Sequence, residues 1–230
     1  MAVIGRPNAG KSTLINALVG QKVAITSRRP QTTRHRIHAI HSRDNYQFIF
    51  IDTPGINQTS QSLFLKELNK TTRSALSEAD LVLLILDGTK WDRTEDAIIN
   101  YLPPGKQRCL VVVNKIDRYR QNRSRVHEFL SMLQQKELFT EILPLSSRKP
   151  NDIAYLEKVL RKYAVKGDFL FSDEQFTDQN MRFYVSELVR EKILRRFNQE
   201  VPYSVAVVID DYQERERETR IKATIHVEQE

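Results

Sequence analysis

Short apolar runs recur along the first two thirds of the chain, and longer polar stretches separate them. This pattern is typical of buried strands joined by helices. Five runs predict core strands, at residues 2–4, 48–51, 81–86, 110–113 and 142–145. An alternating segment at 36–41 adds a sixth strand, and residues 12–19 and 124–134 have the spacing of amphipathic helices. The alternation predicts an α/β fold with a mainly parallel six-stranded sheet that helices cover on both faces.

The pattern changes after residue 165. Residues 166–180 are polar and aromatic without a period, which is typical of a linker. We therefore expect a first domain over residues 1–165, a linker over 166–180 and a second, α+β unit over 181–230.

The second unit shows one helical and two strand patterns. Residues 183–197 predict a helix, and 205–209 with 221–227 predict a hairpin whose connecting loop, 213–220, is highly charged. The apolar residues expected on the buried side of the helix are Leu188, Ile193, Leu194 and Phe197.

Residues 5–12, GRPNAGKS, follow the first apolar run, lead into a predicted helix and match the complete Walker A pattern. In such a loop the glycines let the backbone wrap around a diphosphate. The lysine reaches the β- and γ-phosphates, and the serine supplies an oxygen to Mg²⁺. Lys11 and Ser12 are expected to take these roles, with the N–H groups of the following helix turned to the anion. The predicted nucleotide contacts in this loop are Asn8, Ala9, Gly10, Lys11, Ser12 and Thr13.

A second motif, Asn114-Lys115-Ile116-Asp117, follows a buried run, and so it sits at a strand end where open α/β sheets bind ligands. A carboxylate at Asp117 can accept hydrogen bonds from the N1–H and 2-amino groups of guanine, whereas adenine offers neither donor. Asn114 is expected to hold loops together around the base, and the stem of Lys115 to lie along its face. The motif predicts GTP or GDP as the nucleotide and disfavours an ATP-using kinase or helicase.

The end of another apolar run carries Asp52-Thr53-Pro54-Gly55, whose position suits a sensor of the γ-phosphate. Asp52 is predicted to hold Mg²⁺ through a water, and the N–H of Gly55 to contact the γ-phosphate. A preceding loop offers a threonine to complete the Mg²⁺ shell, and the motif order favours Thr33 over Thr32, although a threonine pair is otherwise ordinary turn chemistry. The predicted catalytic set is Lys11, Thr33 and Gly55, and the predicted metal set is Ser12, Thr33 and Asp52.

Ser146 and Ser147 follow the last apolar run. Their backbone N–H groups are predicted to meet the O6 atom of guanine. Serines after a strand are also ordinary helix caps, so the residues alone leave both interpretations open.

In this order and spacing the motifs resemble the translational-factor-related branch of the P-loop GTPases. The segments GRPNAGKS, PQTTRHR, DTPGI and NKID are similar to the Era family within it. Residues 180–194 and 200–207 resemble the start of that family's C-terminal KH domain. The resemblance implies a GTPase domain followed by part of a type II KH domain, with GTP or GDP and Mg²⁺ as ligands. It also implies a GTP-dependent switch that assembles the small ribosomal subunit and binds its 16S rRNA through the KH domain.

One departure from the family concerns its RNA clamp. A KH domain grips the nucleic-acid backbone with a GXXG loop, and this sequence has no glycine after Gly167. We therefore expect that the natural protein continues past Glu230 within its KH domain, and that the beginning at Met1 is also clipped.

The residue that follows Gly55 is Ile56, which cannot orient a water molecule as the glutamine of Ras-like enzymes does. We therefore expect slow intrinsic hydrolysis. By resemblance, several relatives use K⁺ near the phosphates, with an asparagine of the phosphate loop as a ligand, and Asn8 sits at the matching position. Asn8 is either such a K⁺ ligand or a loop residue that bonds its own backbone, and both interpretations stay open.

The bulk properties agree with a nucleic-acid partner. The net charge of +7 and the isoelectric point near 9.5 favour an anionic partner without identifying it. The single cysteine, Cys109, permits no internal disulfide, and a cytoplasmic location is the simplest setting. Only the family resemblance raises a peripheral association with the inner membrane.

Two other functions remain as alternatives. One is a GTPase of another class, such as a tRNA-modifying relative, and the other is a scaffold that binds guanine nucleotide without hydrolysing it. The sequence leaves the oligomeric state open.

Overall fold

The computed structural model describes residues 1–27, 32, 33, 36–55, 63–100, 102, 108–197 and 205–227, with the backbone alone at 63–69. Six strands form one sheet before residue 165, in the order β2-β3-β1-β4-β5-β6. They are β1 (Ala2–Gly5), β2 (Ile37–Arg43), β3 (Tyr46–Asp52), β4 (Leu81–Asp87), β5 (Arg108–Asn114) and β6 (Glu141–Pro144).

The sheet is parallel except at one edge. β1 pairs in parallel with β3 and β4, and β5 pairs in parallel with β4 and β6. β2 and β3 form an antiparallel hairpin, whose turn places Asp44 at a left-handed φ of 52°. The predicted mainly parallel, six-stranded α/β fold is therefore confirmed.

Helices cover both faces of the sheet. They are α1 (Lys11–Val19), α2 (Leu63–Glu78), α3 (Arg93–Ile99), α4 (Arg123–Gln135) and α5 (Pro150–Arg161). On one face Leu14 and Leu156 pack with strand residues such as Phe50, and on the other Leu76 and Leu133 pack with residues such as Val111. Within the described residues, no helix is long and apolar enough to cross a membrane.

Beyond residue 180 the chain forms α6 (Met181–Arg196) and an antiparallel hairpin of β7 (Val205–Glu214) and β8 (Thr219–Val227). The predicted helix and hairpin are both present. The predicted loop over 213–220 is wrong, because pairing continues to Glu214↔Thr219 and leaves only 215–218 between the strands. Charged side chains do not prevent strand pairing where they stand on a solvated face.

The prediction of the buried side of α6 is also wrong in large part. Leu194 is buried, but Leu188 and Ile193 are only half-buried and Phe197 is exposed. The other buried residues of the helix are Glu187, Arg190 and Glu191. This side of α6 contacts Lys22, Thr26 and Thr32, and an ion pair with hydrogen bonds to backbone groups replaces the apolar contacts that the hydrophobic pattern suggested.

The predicted linker, 166–180, runs along the β2 edge of the sheet. Ile40 donates its N–H to the carbonyl oxygen of Phe176 at 2.9 Å, and Ala39 forms an isolated bridge with Thr177. The side chain of Gln47 bonds the backbone of Phe171 as both donor and acceptor. These contacts attach the segment to the six-stranded sheet.

Candidate nucleotide-binding site

The C-terminal ends of β1, β3 and β5 meet at one edge of the sheet and open onto a cleft of about 500 Å³. The predicted residues that line this cleft are Asn8, Gly10, Lys11, Ser12, Thr13, Thr33, Gly55, Lys115, Asp117, Ser146 and Ser147. Ala9, Asp52 and Asn114 are fully buried behind them. The fold thus brings motifs from five separate parts of the sequence to one cleft.

Lys11 begins α1 at the base of the cleft. Gly10 precedes it with a left-handed φ of 105°, and a Cβ on Gly10 would lie 2.3 Å from Nδ2 of Asn114, so only glycine fits. The Lys11 ammonium donates to the carbonyl oxygens of Gly5 at 3.2 Å and Arg6 at 3.0 Å. Burial lowers the pKa of Lys11 to about 8, although the nearby Asp52 raises it. An anion at the start of α1 would stabilise the charged ammonium group of Lys11, so this position suits a phosphate.

Asp52 lies beside Lys11 with two hydroxyl groups. Its Oδ2 accepts hydrogen bonds from Ser12 Oγ at 2.9 Å and Thr33 Oγ1 at 3.4 Å, and the two hydroxyl oxygens are 3.2 Å apart. Burial raises the pKa of Asp52, which Lys11 and these hydrogen bonds partly offset. Its buried Oδ1 has no hydrogen-bond partner among the described residues. A carboxylate and two hydroxyls that converge in this way fit a hard cation such as Mg²⁺.

Gly55 lies directly against the phosphate loop. A Cβ on Gly55 would be 2.6 Å from the backbone nitrogen and 2.8 Å from the Cα of Pro7. Thr53, two residues earlier, anchors this turn by donating its hydroxyl to the carbonyl oxygen of Val3 at 2.8 Å. The close approach places the backbone of Gly55 at the cleft wall next to the phosphate loop.

The other end of the cleft is organised by the buried side chain of Asn114. Its Nδ2 donates to the carbonyl oxygen of Ala9 at 2.9 Å, and its Oδ1 accepts from the N–H groups of Lys115 at 2.8 Å and Ser147 at 3.0 Å. One amide thereby joins the phosphate loop to two further segments. That these joined loops enclose a bound base stays a prediction.

Asp117 follows in a short 3₁₀ helix, Ile116–Tyr119, and lines the cleft. A hydrogen bond from Ser146 lowers the pKa of Asp117, so its carboxylate is ionised at neutral pH. The N–H of Ser147 donates to Asn114, and that of Ser146 donates to Asp152 Oδ2 at 2.8 Å. Their contact with guanine O6 stays a prediction, and it requires one of these hydrogen bonds to be shared.

Lys115 has a left-handed φ of 62° that turns its side chain back across the cleft. Its ammonium donates to the carbonyl oxygen of Asn8 and lies 3.1 Å from Asp87 Oδ2. Asn8 also has a left-handed φ, of 63°, and its side chain is exposed beside the phosphate loop.

Sequence reasoning missed one group of ion pairs, which anchors the phosphate loop. Arg6 pairs with Asp92 and with Glu95, which is buried. These two acids form the capping box of α3, in which Glu95 Oε2 accepts from the N–H of Asp92 at 2.9 Å. The D-x-x-E spacing could have predicted the start of the helix, but no local pattern indicates its pairing with Arg6.

Some predicted segments fall outside the described residues. These are Ile56, the loop around Thr33 at 28–31 and 34–35, and residues 200–204 of the resemblance to a KH domain.

Comparison with known proteins gives one consistent result. A family described as "50S ribosome-binding GTPase" matches residues 1–115. The GTPase Era of Actinobacillus pleuropneumoniae serotype 5b (strain L20) is 39% identical over all of this chain and 76% of its own length. That of Pasteurella multocida (strain Pm70) is also 39% identical, over all of this chain and 75% of its own length.

Solved structures agree with the sequence relatives. A crystal structure of Era with MgGDPNP and nucleotides 1506–1542 of 16S ribosomal RNA matches all of this chain and 78% of that chain, with a TM-score of 0.90 and 34% identity. A crystal structure of an Aquifex aeolicus Era variant bound to GDP·AlF₄⁻ matches the same shares with a TM-score of 0.88 and 34% identity. Taken with the P-loop fold and its cleft, these matches show that the chain belongs to the Era family of GTPases.

Proposed function

We propose that this chain binds GTP with Mg²⁺ in the cleft described above and hydrolyses it as a molecular switch. One observation carries the assignment of the site. Lys11, Ser12, Thr33 and Asp52 converge at one end of a single cleft. The ionised Asp117, in the motif formed by residues 114–117, lies on the wall of the same cleft. The first group suits a phosphate and a cation, and the second suits guanine.

Each residue then has a defined task. Lys11 and the N–H groups that begin α1 hold the β- and γ-phosphates, and Gly55 presents its N–H to the γ-phosphate. Ser12, Thr33 and Asp52 would hold Mg²⁺, which supplies positive charge to the phosphate oxygens when it is bound. Asp117 accepts from the guanine base, while Asn114 keeps the loops around it in place. Because Ile56 cannot orient water, intrinsic turnover is slow.

The partner that we propose is small-subunit 16S rRNA, through the second unit. The support is the Era structure that contains nucleotides of this RNA and matches the whole chain. The family description that names the 50S ribosome matches only residues 1–115, so it does not bear on the second unit. Residues 168–230 contain no glycine and therefore include no GXXG loop.

We also propose the division into a GTPase domain over 1–165, a linker over 166–180 and part of a KH domain over 181–230. The separate sheets before residue 165 and after residue 204 support this division. The setting is the cytoplasm, where ribosomal subunits assemble. Peripheral membrane association rests on the family resemblance alone, and co-sedimentation with anionic lipid vesicles checks it.

The test is nucleotide turnover by the purified chain, with an Asp117→Asn variant offered GTP and xanthosine triphosphate. The exposed Asp173→Asn serves as the matched control. We expect slow GTP hydrolysis by the parent and the control, and a change of preference to the xanthine nucleotide in Asp117→Asn, because an amide can donate to the xanthine oxygen. Unchanged GTP preference in that variant would refute the assignment of the guanine site.

Turnover, measured together with nucleotide and RNA binding, separates the alternative functions. Tight GTP binding without turnover would favour the non-hydrolysing scaffold. Binding to a tRNA in preference to the 3′ segment of 16S rRNA would favour a GTPase of another class. Absence of any guanine-nucleotide binding would overturn the proposal as a whole.

A further inference from the structure

The buried side of α6 carries charges where a helix usually carries apolar residues. Glu187, Arg190 and Glu191 are 8%, 3% and 0% exposed, respectively. Buried ion pairs contribute little to stability compared with apolar packing of the same volume, but they constrain geometry. We therefore consider which groups these residues position, rather than how much they add to the free energy of unfolding.

They hold the chain segment that leads into the cation site. Glu191 Oε1 accepts from the N–H of Thr26 at 2.9 Å and from its hydroxyl at 3.1 Å, and Glu191 Oε2 pairs with Lys22. Although burial raises the pKa of Glu191, these partners outweigh it and keep the pKa below its usual range. The carboxylate is therefore a charged anchor for the segment that follows α1.

Arg190 reaches the far end of the same segment. Its Nη2 donates to the carbonyl oxygen of Thr32 at 2.6 Å, and Glu187 orients the guanidinium by accepting from Nε at 2.7 Å and from Nη2 at 2.6 Å. The next residue is Thr33, whose hydroxyl lies beside Ser12 and Asp52. A chain of direct contacts thus runs from α6 through one peptide unit to the cation site.

We propose that Arg190, supported by Glu187 and Glu191, is a positioning residue for Thr33 and couples α6 to the γ-phosphate end of the cleft. This inference rests on the proposed role of Thr33 in that cleft. Docked α6 holds the carbonyl of Thr32, which keeps the Thr33 hydroxyl beside Ser12 and Asp52. Because coupling of binding equilibria is reciprocal, a triphosphate that engages Thr33 stabilises the docking of α6.

The test compares the affinities of Arg190→Ala for the non-hydrolysable analogue MgGDPNP and for GDP. Loss of one charge-assisted hydrogen bond predicts about tenfold weaker binding of MgGDPNP, with GDP affinity changed less than about twofold. Arg196→Ala, an exposed arginine of the same helix, is the matched control and should leave both affinities unchanged. A merely structural defect would weaken both nucleotides alike, and this outcome, or no change in either affinity, would overturn the inference.

Two further measurements keep the result decisive. If Arg190→Ala does not fold, Arg190→Lys keeps a donor for the Thr32 carbonyl but loses the two-point pairing with Glu187, and an intermediate loss specific to MgGDPNP is expected. Amide hydrogen exchange over 181–196 should be slower with MgGDPNP than with GDP in the parent chain. Equal exchange in the two states would contradict the coupling.

A Thr33→Ala variant distinguishes failure of this inference from failure of the proposed site. If Thr33→Ala loses MgGDPNP affinity while Arg190→Ala does not, only the role of α6 fails. If Thr33→Ala binds MgGDPNP as well as the parent, the assignment of Thr33 fails, and the coupling fails with it.

Discussion

A methyl group at Gly55 has no room in this structure, so Gly55→Ala is a sharp test of the γ-phosphate end of the site. The added Cβ would lie 2.6, 2.8 and 2.9 Å from N, Cα and Cδ of Pro7. Ordinary contacts of a Cβ begin near 3.4 Å. All three are backbone or ring atoms of Pro7 that cannot rotate away, so the two loops must separate by about 0.8 Å at the nearest pair.

That displacement acts on the triphosphate more than on the diphosphate. The N–H of Gly55 is proposed to contact the γ-phosphate, which GDP lacks. Loss of a hydrogen bond to a charged group costs about 1.5–3 kcal/mol, so the affinity for MgGDPNP should fall about ten- to a hundredfold. Single-turnover hydrolysis should fall by about a hundredfold, because a misplacement near 1 Å has effects of this size.

Fluorescent-nucleotide titration and single-turnover GTP hydrolysis measure the two quantities. Gly167→Ala is the matched control, because a Cβ there meets nothing within 4 Å. Affinity for MgGDPNP and a hydrolysis rate equal to those of the parent in Gly55→Ala would refute the reasoning. Equal loss of GDP affinity would show instead that the phosphate loop itself had moved.

Three other predictions concern the rest of the cleft. Burial lowers the pKa of Lys11 to about 8, and a bound diphosphate raises it. Binding of GDP above about pH 8 therefore takes up a proton. The affinity for GDP, measured in EDTA, should fall about eightfold from about pH 7.5 to about pH 9. Lys11→Arg stays charged throughout and should give a flat profile, whereas an equal slope would place the titration elsewhere. If Asn8 is a K⁺ ligand, hydrolysis is faster in KCl than in NaCl, and Asn8→Ala removes the difference; an equal rate of the parent in both salts would leave Asn8 as a loop residue. Asn114→Ala leaves the Ala9 carbonyl and the Ser147 N–H without their hydrogen-bond partner. It should lower the free energy of unfolding, measured by urea titration, by about 3 kcal/mol. A loss below about 1 kcal/mol would contradict the role of Asn114 in connecting these loops.

The sequence alone predicted most of the fold before residue 165 and the position of the cleft. Alternating apolar runs and helical periods are local signals, and the sheet has the six strands that they predict. Four of the five motifs follow a strand, and the carboxyl ends of parallel strands share one edge, so the convergence of these four followed from their order. The loop that carries Thr33 instead lies between α1 and β2, and only the tertiary structure places it at the cleft. Guanine as the base followed from the acceptor oxygens of Asp117, which match the N1–H and 2-amino donors of guanine.

The tertiary structure decided which distant residues became partners. The pairing of Arg6 with the capping box of α3 joins positions 86 residues apart, and the contact of Arg190 with Thr32 joins positions 158 apart. No period or motif encodes such pairs, because they depend on how finished elements pack. The hydrophobic pattern of α6 predicted the wrong buried side for the same reason. A helix normally buries its apolar stripe, but here the surface against it is polar backbone and lysine, so charged residues on α6 satisfy it instead.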